Sequence, residues 1–264
     1  VRNTAANLAI KDIIASLTQV KLAAFLAWED LRQRYVRTAL GPLWIVLSTA
    51  IWIGVLGFVL SNLFGQQMHT YMPFLVSGIL SWMLISTCIM ESSQVMVGSA
   101  ALITSFRIPI FIHYIRFIFR NVIFFMHSII ILVVVFCIYP TPLTANTWLV
   151  IPGILIDLVI VTGFAVFLSL ANLRYRDTNL AVGSAMQVMP FVTPIYWQQE
   201  QLKNHIWVTE INPFYHMVEI MRAPMLGQNP APLSWQVTIG VAIVVSILAV
   251  LLFMRYRHRI IFWL

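Results

Sequence analysis

Six apolar runs, each close to the ~20 residues a helix needs to cross a hydrocarbon core, constrain this chain more than any motif does. They cover residues 43–63, 72–90, 121–139, 148–173, 178–199 and 235–254, and only Asp157 interrupts the fourth. Backbone polar groups inside lipid must be paired within the structure, which leaves helices or closed barrels. Continuous apolar runs are not the alternating segments of barrel strands. The expected fold class is all-α: a polytopic membrane protein with six transmembrane helices, an N-terminal amphipathic interfacial helix and short re-entrant or interfacial outer helices.

Cut into these spans, the chain places fourteen of its sixteen basic residues on one side of the membrane. Arg2, Lys11, Lys21, Arg32, Arg34, Arg37, Arg107, Arg116, Arg120, Arg174, Arg176, Arg255, Arg257 and Arg259 share that side, against Lys203 and Arg222 on the other. The positive-inside rule then puts both termini in the cytoplasm. With 60% hydrophobic and 9% charged residues, the formal charge of +7 reads as this topological bias and not as a nucleic-acid surface. Cys88 and Cys137 lie within spans, outside any CxxC or His-rich cluster, and read as packing residues with no metal site. The first run begins about forty residues in, after charged amphipathic sequence, so no cleavable secretory signal is expected.

Residues 1–42 are too polar to cross, yet Ile10, Ile13, Ile14 and Leu17, and then Ala24, Trp28, Leu31 and Tyr35, recur at helical spacing. Such a helix can lie in the inner headgroup layer, apolar face toward the acyl boundary and arginines toward lipid phosphate. Gly41-Pro42 breaks it immediately before the first span. Between spans two and three, residues 98–116 suit a short cytoplasmic helix; the loop 172–178 after span four is tighter. Pro190 and Pro194 fall inside span five, where each frees carbonyls that something else must satisfy. In the outer segment 198–234, Phe214, Met217, Val218 and Met221 form an apolar stripe too short to span, started by Pro213 and stopped by Pro224. That helix either lies in the outer leaflet or re-enters it.

None of the three lysines follows a glycine, so no phosphate loop is present, and an ATP-driven protein of this kind needs its hydrolysing domain on another chain. Nucleophile turns and metalloprotease motifs are also missing, and no catalytic residues are expected. Charged groups at membrane depth point to function or to a partner. Glu91 ends span two, and Arg116 and Arg120 lie one turn apart at the approach to span three, which predicts a Glu91 ion pair with one of them. Asp157 reads either as a polar point in a water-filled path or as a helix–helix hydrogen bond, and His127 as a hydrogen-bonded packing residue. Trp52, Phe58 and Trp82 are too deep for an interfacial belt; they pack, or they line a sugar path on which rings stack without fixing a hydroxyl pattern. A pyrophosphate head would find cationic partners in Arg32, Arg34 and Arg37 before the first span, unless these only obey the positive-inside rule.

The runs Trp28-Glu29-Asp30-Leu31-Arg32-Gln33-Arg34-Tyr35 and Leu40-Gly41-Pro42-Leu43-Trp44 come first. Arg174-Tyr175-Arg176-Asp177, Thr193-Pro194-Ile195-Tyr196-Trp197, and Asn212-Pro213-Phe214-Tyr215 followed by Glu219, Arg222, Pro224 and Gly227 come after them. Together they resemble the membrane subunits of ABC transporters that export O-antigen and capsular polysaccharides, the Wzm-like permeases. The resemblance implies a homodimer in the bacterial inner membrane around a continuous channel, with two separate ATP-binding subunits on its cytoplasmic face. ATP and magnesium would be bound by those partners and no cofactor by this chain. The implied substrate is an undecaprenyl-pyrophosphate-linked polysaccharide.

By the same resemblance, Leu40 and Gly41 border the substrate entrance beside the arginines, and Trp52, Phe58, Trp82, Tyr196 and Trp197 are candidate channel aromatics. Pro213, Phe214, Tyr215 and Arg222 belong to an outer gate. Arg107, Pro109, Arg174, Arg176 and Asp177 would contact the ATPase. The Glu29-Asp30 pair departs from the basic-acidic pair common in relatives. The expected organisation is a cytoplasmic N-terminal segment 1–42, a transmembrane domain 43–254 and a cytoplasmic tail 255–264. Teichoic-acid exporters share much of the pattern. A small-molecule ABC exporter would not need a wide aromatic path, and a secondary transporter would need intramembrane carboxylates and inverted half-helices, to which only Asp157 and the span-five prolines point.

Overall fold

The structure is a computed structural model that describes residues 2–36, 38–41 and 43–264. Thirteen α-helices and three 3-10 turns are found among the described residues, with no strand. Two helices precede the bundle, α1 (Arg2–Thr18) and α2 (Val20–Tyr35), where one was expected. Then come α3 (Leu43–Phe64), α4 (Met68–Ser92), the short α5 (Val95–Gly98) and α6 (Ala100–Ser105), and α7 (Ile112–Ile138). The second half holds α8 (Val150–Arg174), α9 (Thr178–Val192), α10 (Trp207–Ile211), α11 (Pro213–Met225), α12 (Pro232–Tyr256) and α13 (Ile260–Trp263).

Five helices are long and apolar enough to cross a membrane: α3, α4, α7, the continuous 145–174 segment ending in α8, and the segment beginning with α12. The expected fifth span is different. Helix α9 has 15 residues, about 22 Å at 1.5 Å per residue, and stops at Val192 because Pro194 disfavours helix at Thr193. The chain still traverses the bundle. Tyr175 shares a cavity with Tyr256 and Trp263 at one end, whereas Gln198 accepts a hydrogen bond from Gln66, in the α3–α4 turn at the other (2.9 Å). Residues 175–198 therefore run end to end as a short helix followed by irregular chain.

Helix α4 is the axis of the fold. Of its most apolar stretch 83% is buried, against 11% for α3 and 22% for the segment beginning with α12. Packed on it are α3, α7, α8, α9 and α11. Helix α11 is inserted among α4, α8 and α12, with ten of its thirteen residues buried, which decides for re-entry. Asn212 caps it by accepting from the Phe214 amide (3.0 Å). Its stop is not Pro224, which lies in the last turn, but Gly227, whose φ of +73° only glycine adopts cheaply. At Gly153 the α8 backbone comes so near that a Cβ would lie 2.7 Å from the Ile220 carbonyl of α11.

The N-terminal helices turn several of their large apolar side chains away from the protein, the orientation expected of a helix in the headgroup layer. On α1, Ile10, Ile14 and Leu17 are exposed, while Ala9, Asp12 and Ser16 face the protein. On α2 the buried stripe is Ala23, Ala27 and Leu31, and Trp28 points outward. Asp12 explains the first choice: its carboxylate accepts from the Ile110 and Phe111 amides before α7 (3.1 and 2.9 Å) and from Arg257 Nε after α12 (2.8 Å). One acid thus holds both chain ends and the head of α7 at one end of the bundle. Helix α7 itself begins nine residues before the apolar run at 121, carrying His113, Arg116 and Arg120 with it.

Replacing Asp12 by Ala strands two amides and a guanidinium, and should cost roughly 3 kcal/mol. Arg257→Ala leaves the amides paired and should cost less than half of that. Thermal unfolding of the detergent-purified variants measures both; equal melting temperatures for the two would refute Asp12 as the anchor.

Candidate functional site

The two ends of the bundle carry different chemistry. At the end with both termini, Arg116 forks onto Asp30 through Nε (2.7 Å) and Nη2, so Asp30 of α2 turns inward. Arg120 Nη2 reaches Glu91 (2.8 Å), and Nη1 lies 3.7 Å from Asp30. The expected Glu91 pair therefore forms with Arg120, and Arg116 is corrected to a partner on α2, since its position one turn earlier faces Asp30. Asn121 donates to the Phe117 carbonyl (3.0 Å) and lies beside the same Glu91 oxygen (3.4 Å). Arg34 stacks over Phe124 of α7 at 4.9 Å, and burial pushes the neighbouring Tyr35 hydroxyl above its ordinary pKa while Arg34 opposes the shift.

Of the expected entrance residues that are described, Arg34 turns into the cleft between α2, α4 and α7, where it lines two adjoining cavities. Arg32 is exposed and pairs with Glu29 (3.6 Å). Arg37 lies outside the described residues. Leu40 is exposed at the head of α3, and Gly41 makes the turn there with φ +53°. The expected ATPase contacts collect at this same end. Arg107 and Phe106 are exposed in the loop that Asp12 anchors, with Pro109 half-buried, and Arg174, Arg176 and Asp177 are exposed in the α8–α9 loop. That loop is pinned to the end of α4 by Asn172, which donates to the Ser93 carbonyl (3.0 Å), and by Ser93, which donates to Asn179 (2.8 Å).

At the far end, the irregular passage after α9 is sealed by side chains. Arg222 Nη1 donates to the Pro194 carbonyl (2.6 Å), the Tyr71 hydroxyl to that of Tyr196 (2.5 Å), and Asn212 to the Thr193 hydroxyl (3.0 Å). Glu219 fixes Arg222 from one turn back (2.6 Å), and the Phe74 ring lies beneath it at 4.6 Å. The expected gate residues thus separate by role. Pro213 and Asn212 start the helix, Arg222 locks it to the broken passage, Tyr215 donates to Gln199 (2.6 Å), and Phe214 meets Trp82 edge-on at 5.8 Å. Tyr215, Glu219 and Arg222 face an open cavity of about 530 Å³.

The aromatic candidates divide likewise. Trp52 (46% exposed) and Phe58 (65%) stand on the open face of α3, and Trp52 meets Tyr196 edge-on at 6.4 Å, with Trp197 donating to the Phe191 carbonyl nearby (3.3 Å). Trp82, by contrast, is 6% exposed against Phe214; as a path residue it is corrected to core, because α4 is enclosed on all sides. Asp157 is fully buried on α8, and neither oxygen has a partner among the described residues; His127 bonds the Ile123 carbonyl within its own helix (2.7 Å). No group of three or more His, Cys, Asp or Glu side chains able to hold a metal occurs among the described residues. The functional contact that sequence reading missed is Asp12, which lies 98 and 245 residues from its partners.

A double-mutant cycle tests the pairing. Glu91→Ala and Arg120→Ala should be non-additive in melting temperature, with roughly 1 kcal/mol of coupling for a half-buried pair, whereas Glu91→Ala and Arg116→Ala should add. The reverse pattern would mean that the arginines exchange partners.

Two proteins from Klebsiella pneumoniae, each named O-antigen export system permease protein RfbA, are 26% and 22% identical to the chain over 193 and 192 residues, which is 72% of this chain and 74% of each of theirs. The ABC-2 type transporter family model matches residues 22–226, from the first turn of α2 to the end of α11. A match over that share of a polytopic helical chain is decisive, and the protein belongs to the ABC-2 type transporter family of membrane permeases.

Proposed function

We propose that this chain is the channel-forming permease of an exporter that carries a lipid-linked polysaccharide, O-antigen or capsule, across a bacterial inner membrane. Two copies form the channel. Two separate ATP-binding subunits, holding ATP and magnesium, dock on the end that carries both termini, which faces the cytoplasm.

The observation that carries the reading is the open side of the fold. Helix α3 buries 11% of its apolar stretch although it is a span, and Leu180, Val188 and Phe191 of α9 are exposed as well. A span that packs so little on its own chain calls for a second one, and small six-span units rarely enclose a path alone. Two such faces brought together would place Trp52, Phe58 and Tyr196 along the seam, as flat apolar surface for the C–H faces of sugar rings. Such stacking tolerates many hydroxyl patterns, so a polymer slides. The relatives' printed role in O-antigen export supports this substrate class. The exposed Arg107 loop and Arg174–Asp177 loop, each anchored at its base, suit contacts that transmit force from an ATPase.

Co-expression with the ATP-binding subunit should yield a complex that hydrolyses ATP, while the isolated chain shows no turnover above background. Arg176→Glu should lower stimulated hydrolysis and surface polysaccharide together and leave membrane insertion intact. Turnover by the chain alone would end the permease reading.

The aromatic path has its own test. Trp52→Ala should slow polymer export at an unchanged melting temperature, because its ring stands on an open face. Trp82→Ala should instead cost roughly 3–5 kcal/mol of stability, as core truncation does. Equal loss of stability in both variants would remove Trp52 from the path.

A further inference from the structure

Two arginines at the end of the bundle that holds both termini have no acid to meet. Neither Arg174 nor Arg259 forms an ion pair among the described residues, whereas Arg116, Arg120 and Arg257 each do. Arg257 turns to Asp12 (2.6 Å), while Arg259 lines a cavity of about 420 Å³ that it shares with Arg174. This cavity lies between the last turn of α8 and the segment from α12 to α13, on a different part of the molecule from the cleft that Arg34 enters.

The lining changes character with depth. Tyr175, Tyr256 and Trp263 accompany the two guanidiniums, and no carboxylate lines the cavity, so its charge is +2 and an anion fits where a cation does not. Arg174 stands over the Tyr175 ring at 6.0 Å, and the Tyr256 and Trp263 rings lie 5.6 Å apart. Phe167, Leu170, Ala171 and Leu252 form the remaining walls. Phe167 is about two helical turns before Arg174, which is roughly 10 Å further into the span. Phe167 of α8 and Leu248 and Leu251 of α12 are each about half exposed, so this side of the two helices meets hydrocarbon. Arginines and aromatic rings at headgroup level above an apolar wall make a site for a molecule that is anionic at one end and oily at the other.

We propose that this cavity holds an anionic phospholipid of the surrounding leaflet, with Arg174 and Arg259 donating to its phosphate oxygens, Tyr175, Tyr256 and Trp263 framing the glycerol level, and the first part of an acyl chain lying on Phe167 and Leu252. Guanidinium forks take phosphate oxygens in pairs, which a lone ammonium cannot do. A free phosphate would leave the apolar walls bare, and a zwitterionic head would bring its own cation against the arginines. The lipid ties the end of α8 to the last helices of the chain. It braces the base of the α8–α9 loop and leaves Arg176 and Asp177 exposed beyond it. Nothing in this assignment depends on what the chain exports.

The full chain, purified and delipidated in a neutral detergent, is titrated with phosphatidylglycerol, phosphatidylcholine and inorganic phosphate, and bound lipid and melting temperature are measured. Wild type should bind phosphatidylglycerol about tenfold more tightly than either of the others, with a melting temperature that rises as the site fills. Arg259→Gln should weaken phosphatidylglycerol roughly tenfold, as loss of a charged donor does, and should leave the lipid-free melting temperature unchanged because the side chain is exposed and unpaired. Lys21→Gln removes one exposed charge of α2 outside the cavity lining and should leave the affinity as it was. Unchanged affinity in Arg259→Gln would overturn the site. An equal loss in Lys21→Gln would overturn it in favour of a diffuse attraction between the basic end and acidic lipid. Phosphatidylcholine bound as tightly as phosphatidylglycerol would reduce the cavity to an acyl groove, and phosphate bound as tightly would make it a free-anion site; either result overturns the proposal. All of these outcomes leave the export reading standing.

Discussion

Inside lipid, every carbonyl and amide must find a partner, and the rest of this structure depends on how that demand is met where α9 stops short. Residues 194–197 pass through the bundle without helical hydrogen bonds, which would be untenable against hydrocarbon. Arg222 and Tyr71 take the Pro194 and Tyr196 carbonyls, and α11 enters the bundle to bring Arg222 there. The guanidinium is itself expensive to bury, and Glu219 together with the Phe74 ring offsets that cost. The re-entrant helix is thus a consequence of the broken span. Without α11 the break could not be buried, and without the break α11 would have no polar groups to satisfy.

The opposite end solves a different problem with the same means. The positive-inside bias crowds arginines around the head of α7 and the end of α12, where like charges repel. Asp12, Asp30 and Glu91 are interleaved with Arg257, Arg116 and Arg120, so each acid fixes one element to another: α1 to the chain end, α2 to α7, and α4 to α7. Of the Glu29-Asp30 pair, Asp30 faces inward to Arg116. Glu29 stays with Arg32 on the outside.

Much of this was legible in the sequence. Span positions follow from hydrophobic length, which one chain displays by itself, and four of the six runs lie inside observed helices with only their ends extended. Span five was misjudged because apolarity continues past Val192 while helicity does not; Pro194 was the available signal, and it fixes where the helix ends without saying what covers the break. The outward-facing stripe of α1 and α2 was legible as well, although Leu31 turns inward. In a headgroup layer the apolar face looks to lipid and the polar one to protein, the reverse of a soluble helix, so Ile14 and Trp28 point outward and Asp12 inward. Trp82 and Trp52 look alike as letters. Only packing separates them, because α4 is enclosed and α3 is not. The Glu91 pair could be narrowed to two arginines by helical spacing, but the choice depended on Asp30, which belongs to another element.

Helix α4 contributes to both ends. It supplies Tyr71 and Phe74 to the sealed passage, Glu91 and Ser93 to the other network, and spans about 37 Å between them as 25 continuous residues. Packed on every side, it cannot bend to accommodate a shift at one end alone; close-packed interiors transmit displacement rather than absorb it. A pull on the Arg174–Asp177 loop reaches Ser93 through Asn172 and so acts on the end of α4, and the same rigid element holds the carbonyl-capping residues at the far end. The exposed α8–α9 loop and the residues that cap the broken passage are therefore held by one continuous buried helix, whereas α3 packs little against its own chain.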